Sequence, residues 1–180
     1  MIGVDAALFK PSMAHTPMTT SDVVQVLVRE LEGARREVGL FPDDDTLWRT
    51  PPGLPNSAGN LAVHLAGNIQ HYIGAMLGQT GYTRDREGEF STRTGARQSV
   101  MDELAKAVAV VRTTLPTLTA EQLAEPAVDR ELPSSLSLGR FLLHLATHAA
   151  YHLGQIDYAR RLVTGDSTSA GVLSIREICD

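Results

Sequence analysis

The sequence predicts an all-α protein, a four-helix bundle with a long crossover connection. Three observations carry this. Four segments of about 20 residues repeat apolar residues every three or four positions, as one-sided helices do. Proline, glycine and runs of charge separate them, and no segment alternates apolar and polar residues over more than a few positions, as a half-buried strand would. Helices of this length are each about 30 Å long and suit a mostly antiparallel bundle.

Residues 1–18 hold Pro11 and Pro17 with little periodicity and read as an irregular extension. The bundle is expected over 19–165. Its first helix starts near Thr20 or Ser21, a hydroxyl N-cap followed by Asp22. Val23, Val24, Leu27, Val28, Leu31 and Ala34 form its apolar face, and it ends near Gly39. The stretch Phe41 to Asn56 has four prolines and three consecutive aspartates, which predicts a loop, with Trp48 as its packing anchor. The second helix runs from a Ser57 N-cap to Leu77, stopped by Gly78 and Gly81. The charged segment Gln79 to Arg93 reads as a solvated loop whose length suits a crossover between helices that are not adjacent antiparallel neighbours. The third helix covers about Thr94 to Leu115, with Val100, Leu104, Val108, Val111 and Leu115 inward, and Pro116 follows it. A second connection to Pro133 contains a short helical turn at Thr119 to Leu123. The fourth helix starts at Ser134 or Ser135 and runs to about Val163, near Gly165. The tail over 166–180 packs on or near the bundle.

Composition limits the function. The net charge of −5 offers no basic face for nucleic-acid phosphates, so a nucleic-acid partner is not expected. His, Asn and Gln interrupt every apolar stretch before about 18 residues, so no membrane span is expected. The start of the chain lacks a basic region followed by an apolar signal core, which points to a cytoplasmic protein. The single cysteine, Cys179, excludes an intramolecular disulfide.

Five of the six histidines fall in two helical stripes. Asn60, His64, Asn68 and His71 stand at offsets 0, 4, 8 and 11, and His144, His148, His152 and Gln155 repeat those offsets. Residues four apart share a helix face, so each set draws one polar line through an apolar helix. Two such seams facing each other across a bundle core can enclose a metal ion, for which neutral imidazole is the commonest side-chain ligand. Several metal classes are excluded by residue type. His148 to His152 has the spacing of a zinc-peptidase helix but lacks its glutamate. A ferritin-like di-iron site needs glutamates that helices two and four do not carry near their histidines. What remains is a mononuclear site with three imidazoles, His148 and His152 from one helix and His64 from another. The pair His144 and His148 obeys the same spacing. Three protein ligands leave a position for water or substrate, the pattern of catalytic sites. Zn²⁺ suits this best, although Ni²⁺, Fe²⁺ and Mn²⁺ use the same ligands. Asn68, His144 and Gln155 are then candidates for orienting the ligands or touching substrate. Arg84, Arg86, Arg93 and Arg97 are conceivable clamps for a ligand carboxylate, with solvated surface charge as the plainer reading.

Two stretches, Ser57 to Asn68 and His148 to Ile156, resemble the second-helix and last-helix signatures of the DinB/YfiT-like superfamily of metal-binding four-helix bundles. The H-x-x-x-H-x-Gly-Gln run formed by His148 to Gln155, joined to an upstream helical histidine, makes the resemblance specific, and helix order and lengths agree over about 20–163. Carried over by position, it puts the metal triad on His64, His148 and His152 and leaves His71 and His144 outside. It further implies a metal-dependent enzyme. The first expectation is a thiol-dependent S-transferase or isomerase that acts on a small electrophile with a low-molecular-weight thiol. Hydrolysis by metal-bound water and a non-catalytic metal-binding stress-response module are the alternatives. Expected partners are a small-molecule substrate and, because homodimers are common among relatives, a second copy.

Overall fold

The computed structural model describes residues 19–127, 129 and 133–178. The irregular extension expected over 1–18 and Cys179 lie outside the described residues. Helix α1 spans Thr20–Gly39, α2 Asp44–Trp48, α3 Ala58–Ile69, α4 Arg86–Ser91, α5 Arg97–Thr114, α6 Ala120–Ala124 and α7 Leu138–Thr164. A π-helical segment, Gln70–Leu77, prolongs α3, and 3₁₀ turns occupy Leu115–Thr117 and Ile175–Ile178. Among the described residues there is no strand, only an isolated bridge between Pro126 and Ser137. Among the described residues no helix is long and apolar enough to cross a membrane.

The four long helices start and stop close to their sequence signals. At the head of α1 the backbone N–H of Thr19 donates to Asp22 at 2.6 Å. Ser57 accepts from the backbone N–H of Asn60 at 3.1 Å and so caps α3. Gly165 closes α7 in the left-handed conformation, φ 70°, which costs glycine little. The expected apolar positions of α5 are all buried, as are Val23, Leu27, Leu31 and Ala34 of α1, while Val24 and Val28 are partly so.

Three boundaries differ from expectation. The stretch 41–56 contains the helical turn α2, because Asp43 accepts from the backbone N–H of Thr46 at 2.7 Å. Helix α5 begins at Arg97 rather than Thr94, since the Gly95 carbonyl is committed to the Trp48 indole N–H at 2.7 Å. Asp44 then receives the Arg97 backbone N–H at 2.8 Å. Helix α7 begins at Leu138, capped by Ser137, rather than at 134 or 135. Residues on either side of the bridge are paired there: Ala127 N–H donates to Leu136 and Leu138 N–H to Glu125, both at 2.8 Å.

Helices α1 and α3 each pack against both α5 and α7. Glu37 meets Arg160 and Gly33 meets Leu153, so α1 and α7 run in the same direction. Gln70 bonds Glu103 and Gly74 abuts Val110, so α3 and α5 also run together. The bundle is therefore half parallel, not mostly antiparallel. Parallel neighbours cannot be joined by a short turn, and the segment between Leu77 and Arg97 is the long crossover. It retraces α3: Thr80 bonds Gly74, Glu89 bonds His64, Thr92 bonds Asn60, and Gly95 meets Trp48. Trp48 pins the end of this strap and lies over Gly59, where an added Cβ would come within 2.7 Å of its ring.

A buried ion pair joins α1 to α7. Arg160, fully buried, donates to Glu37 at 2.5 Å and to the Thr168 carbonyl at 2.5 Å, drawing the C-terminal tail onto the bundle. Arg36 binds the tail from the α1 side through the Ala170 carbonyl at 3.0 Å. Arg160→Ala leaves the Glu37 carboxylate buried and unpaired and is expected to cost about 3–5 kcal/mol. Arg161→Ala, which removes a more exposed partner of Asp157, should cost less than about 1 kcal/mol. Urea unfolding of both variants checks this, and equal losses would contradict it.

Candidate metal centre

The antiparallel packing of α3 on α7 brings the two polar seams face to face. Tyr72 meets Phe141 with ring centroids 5.0 Å apart, and about two helical turns away, eight residues before Tyr72 and seven and eleven residues after Phe141, His64 meets His148 and His152. One ligand atom from each of His64, His148 and His152 falls within 4.8 Å of the other two. The atoms are Nε2 nitrogens: His64 to His148 is 3.4 Å and His148 to His152 is 3.0 Å. His64 is buried and the other two are half-buried.

Hydrogen bonds behind the rings decide what those nitrogens offer. Nδ1 of His64 lies 2.9 Å from Glu89 Oε2, and Nδ1 of His152 lies 2.7 Å from Gln155 Oε1. An ionised carboxylate and an amide oxygen only accept, so both Nδ1 atoms carry the proton and both Nε2 lone pairs face inward. With the proton of His148 able to satisfy one of them at most, the arrangement asks for a cation at the centre. Two nitrogens bound to one ion at about 2.0–2.1 Å, with a tetrahedral angle, lie about 3.4 Å apart, so the observed spacing fits a small transition-metal ion.

Glu89 comes from the crossover strap. Asp85 caps α4 by accepting from the Gly88 N–H at 2.9 Å, and the single turn that follows turns Glu89 and Phe90 inward. Gly67 makes the approach possible, since a Cβ there would lie 2.3 Å from Glu89 Oε1. Arg84 grips Glu89 with two bonds, Nε to Oε1 at 2.7 Å and Nη2 to Oε2 at 2.8 Å, and its Nη2 lies 3.2 Å from His64 Nδ1. Burial works to raise the Glu89 pKa, but the hydrogen bonds from His64 and Arg84 outweigh it and hold the carboxyl below its ordinary value. Burial lowers His148 to about 4, helped by repulsion from His152, His64, His144 and Arg84. Burial also lowers His152, against the opposing hydrogen bond of Gln155. Both rings are thus neutral at pH 7, the form that ligates.

The other candidates fall out as follows. Gln155 holds His152, as described. Asn68 is buried with its Oδ1 unpartnered. His144 is exposed and stacks between Phe141 and His148, with centroids 6.2 and 6.0 Å apart, and His71 packs on Tyr72. Arg84 is committed to Glu89 rather than solvated, Arg93 to the Phe90 and Thr92 carbonyls, and Arg97 to the Phe41 carbonyl, while Arg86 lies over the Phe90 ring. Sequence reasoning missed Glu89. The one local signal is Phe90, an apolar residue that marks the inward face of α4.

Comparison with known proteins agrees with the fold. A sequence model described as the DinB superfamily matches residues 26–156. A solved structure described as a conserved protein of a locus from Enterococcus faecalis is similar, with a TM-score of 0.67 and 23% identity. The match covers 83% of this chain and 99% of that one, and at that identity it speaks for the fold alone. No curated protein matches the chain.

The lowered imidazoles predict a pH dependence for the metal-free protein. Between pH 6.5, the ordinary value, and about 4, the unfolded chain protonates His148 while the folded chain does not. The unfolded state then binds more protons, so stability falls as pH drops through that window and levels below it. Urea midpoints measured across this range should decline in the wild type and decline less steeply in His148→Ala. Identical slopes would show that His148 does not titrate as its surroundings dictate.

Proposed function

We propose a function for this chain, which belongs to the DinB superfamily: His64, His148 and His152 hold one divalent ion, and the site transfers or isomerises a small electrophile with a low-molecular-weight thiol. The observation that carries the proposal is the convergence of three Nε2 atoms whose backing hydrogen bonds aim lone pairs at one point. Zn²⁺ is the first choice, with Ni²⁺, Fe²⁺ and Mn²⁺ compatible with the same donors. An ion held there supplies Lewis acidity, which lowers the pKa of a thiol or water that completes its shell.

The protein's own residues set what that shell accepts. As metal ligands, three imidazoles bring no charge, and Glu89 is cancelled by Arg84. The charge of a divalent cation is left uncompensated, which favours an anionic donor such as a thiolate. Phe90 packs on His64 with centroids 4.7 Å apart and Tyr151 stands 5.4 Å from His152, giving the triad an aromatic rim. A groove of about 650 Å³, lined by Arg86, Glu87, Phe90, Ser91 and Arg93, offers room beside Phe90 for the rest of a thiol.

Two features weigh against the alternatives. Hydrolysis through metal-bound water wants a free base, and Glu89 has both oxygens engaged by Arg84 and His64. A purely structural ion wants four protein ligands, and His144 and His71 lie outside the converging group of described residues.

The test loads the purified protein with zinc and screens thiols against alkyl halides, epoxides and isomerisable enoic acids. Turnover is expected to require both metal and thiol. It should fall to background in His148→Ala, with the helical circular dichroism retained. Turnover that persists in metal-free protein would overturn the proposal.

A further inference from the structure

Two of the three converging imidazoles have a partner behind them, Glu89 for His64 and Gln155 for His152. The third does not: Nδ1 of His148 is buried without a hydrogen-bond partner. A second orphan, Oδ1 of Asn68, is buried on the facing helix, in a residue only 7% exposed. Unpaired buried polar atoms are costly and rare, so two of them on facing helices call for a common explanation.

The register supplies it. On α3, Asn68 lies midway between His64, which faces His148 and His152, and Tyr72, which faces Phe141. It therefore stands opposite the turn of α7 between His144 and His148. Side chains on a helix lean toward its N-terminus. In an antiparallel pair that tilt carries Asn68 toward the level of His64 and carries His148 toward the level of His144, so both enter one layer. The chemistry is complementary as well. With Nε2 of His148 turned to the ion, its proton sits on Nδ1, a donor, while Oδ1 of an asparagine is an acceptor.

We infer that Asn68 is the positioning residue of His148, its Oδ1 receiving the Nδ1–H through a single water. This rests on the reading of the triad as a metal site. A water so placed accepts from the ring and donates to the amide, and it satisfies both orphans at once. Every ligand would then have its own orienting acceptor, one from the strap, one from α7 and one from α3. The first is anionic and the other two neutral.

Cobalt(II) is the probe, added to the full chain. The wild type should bind one ion and show three hyperfine-shifted ring N–H signals that exchange slowly with solvent. Asn68→Leu should weaken cobalt binding about 10–100-fold and speed the exchange of one of the three signals. Its unfolding midpoint without metal should be unchanged or higher, because an unpaired acceptor has been removed. That combination separates positioning from a merely structural role, which would lower the midpoint. Asn68→Asp keeps the acceptor and should hold cobalt within about threefold of the wild type. It carries the test if the leucine variant does not fold. Wild-type affinity and three slow signals in Asn68→Leu would overturn the inference alone, as would loss of binding in Asn68→Asp. Failure of the wild type to bind cobalt would overturn the metal reading and the inference with it.

Discussion

The Nδ1–H of His64 meets a carboxylate because the chain between two parallel helices has to turn back. Helices α3 and α5 lie side by side in the same direction, so the strap that joins them must run the length of α3. In doing so it passes Asn60, His64 and Gly67, and it lays Glu89 against the imidazole at 2.9 Å. The site depends on this contact. It fixes which nitrogen of His64 faces the other two rings, and it ties the strap to the bundle at the level of the triad.

The contact carries an electrostatic cost that the structure meets locally. A carboxylate that is 3% exposed is stable only with strong donors around it. Arg84 supplies two and His64 a third, and Asn60 holds the strap backbone through the Glu89 and Thr92 carbonyls at 3.0 and 2.8 Å. Because Arg84 and Glu89 carry opposite charges, the pair adds no net charge beside the triad. His148 and His152 are kept neutral by burial and by repulsion from neighbouring rings. A cation held by three imidazoles would exchange hydration for neutral nitrogen donors and would be left wanting a negative partner.

Much of this was legible in the sequence because much of it is local. The period of the apolar residues marks the four long helices, Ser57 and Gly165 mark two of their ends, and the four-residue spacing of His148 and His152 follows from helix geometry alone. The turn of helix at Thr119 is announced by its hydroxyl cap, realised as Ala120–Ala124. What could not be read is set by contacts between distant residues. Glu89 stands in a charged run near Glu87, and apart from the neighbouring Phe90 nothing in the run says which one turns inward until α3 is in place to receive it. Arg160 next to Arg161 poses the same problem: only the first meets Glu37, 123 residues away. The late start of α7 likewise depends on residues 125–127 pairing across the connection. The parallel relation of α3 and α5 was hinted at only by the length of the strap.

Central to the proposed function is that His64, His148 and His152 together hold a single ion while His144, on the same stripe of α7, does not. Zinc affinities of the four single alanine variants, measured by competition with a chromogenic chelator, test it directly. His64→Ala, His148→Ala and His152→Ala should each lose the high-affinity site, and His144→Ala should keep it. A large loss in His144→Ala with little change in His152→Ala would contradict the account.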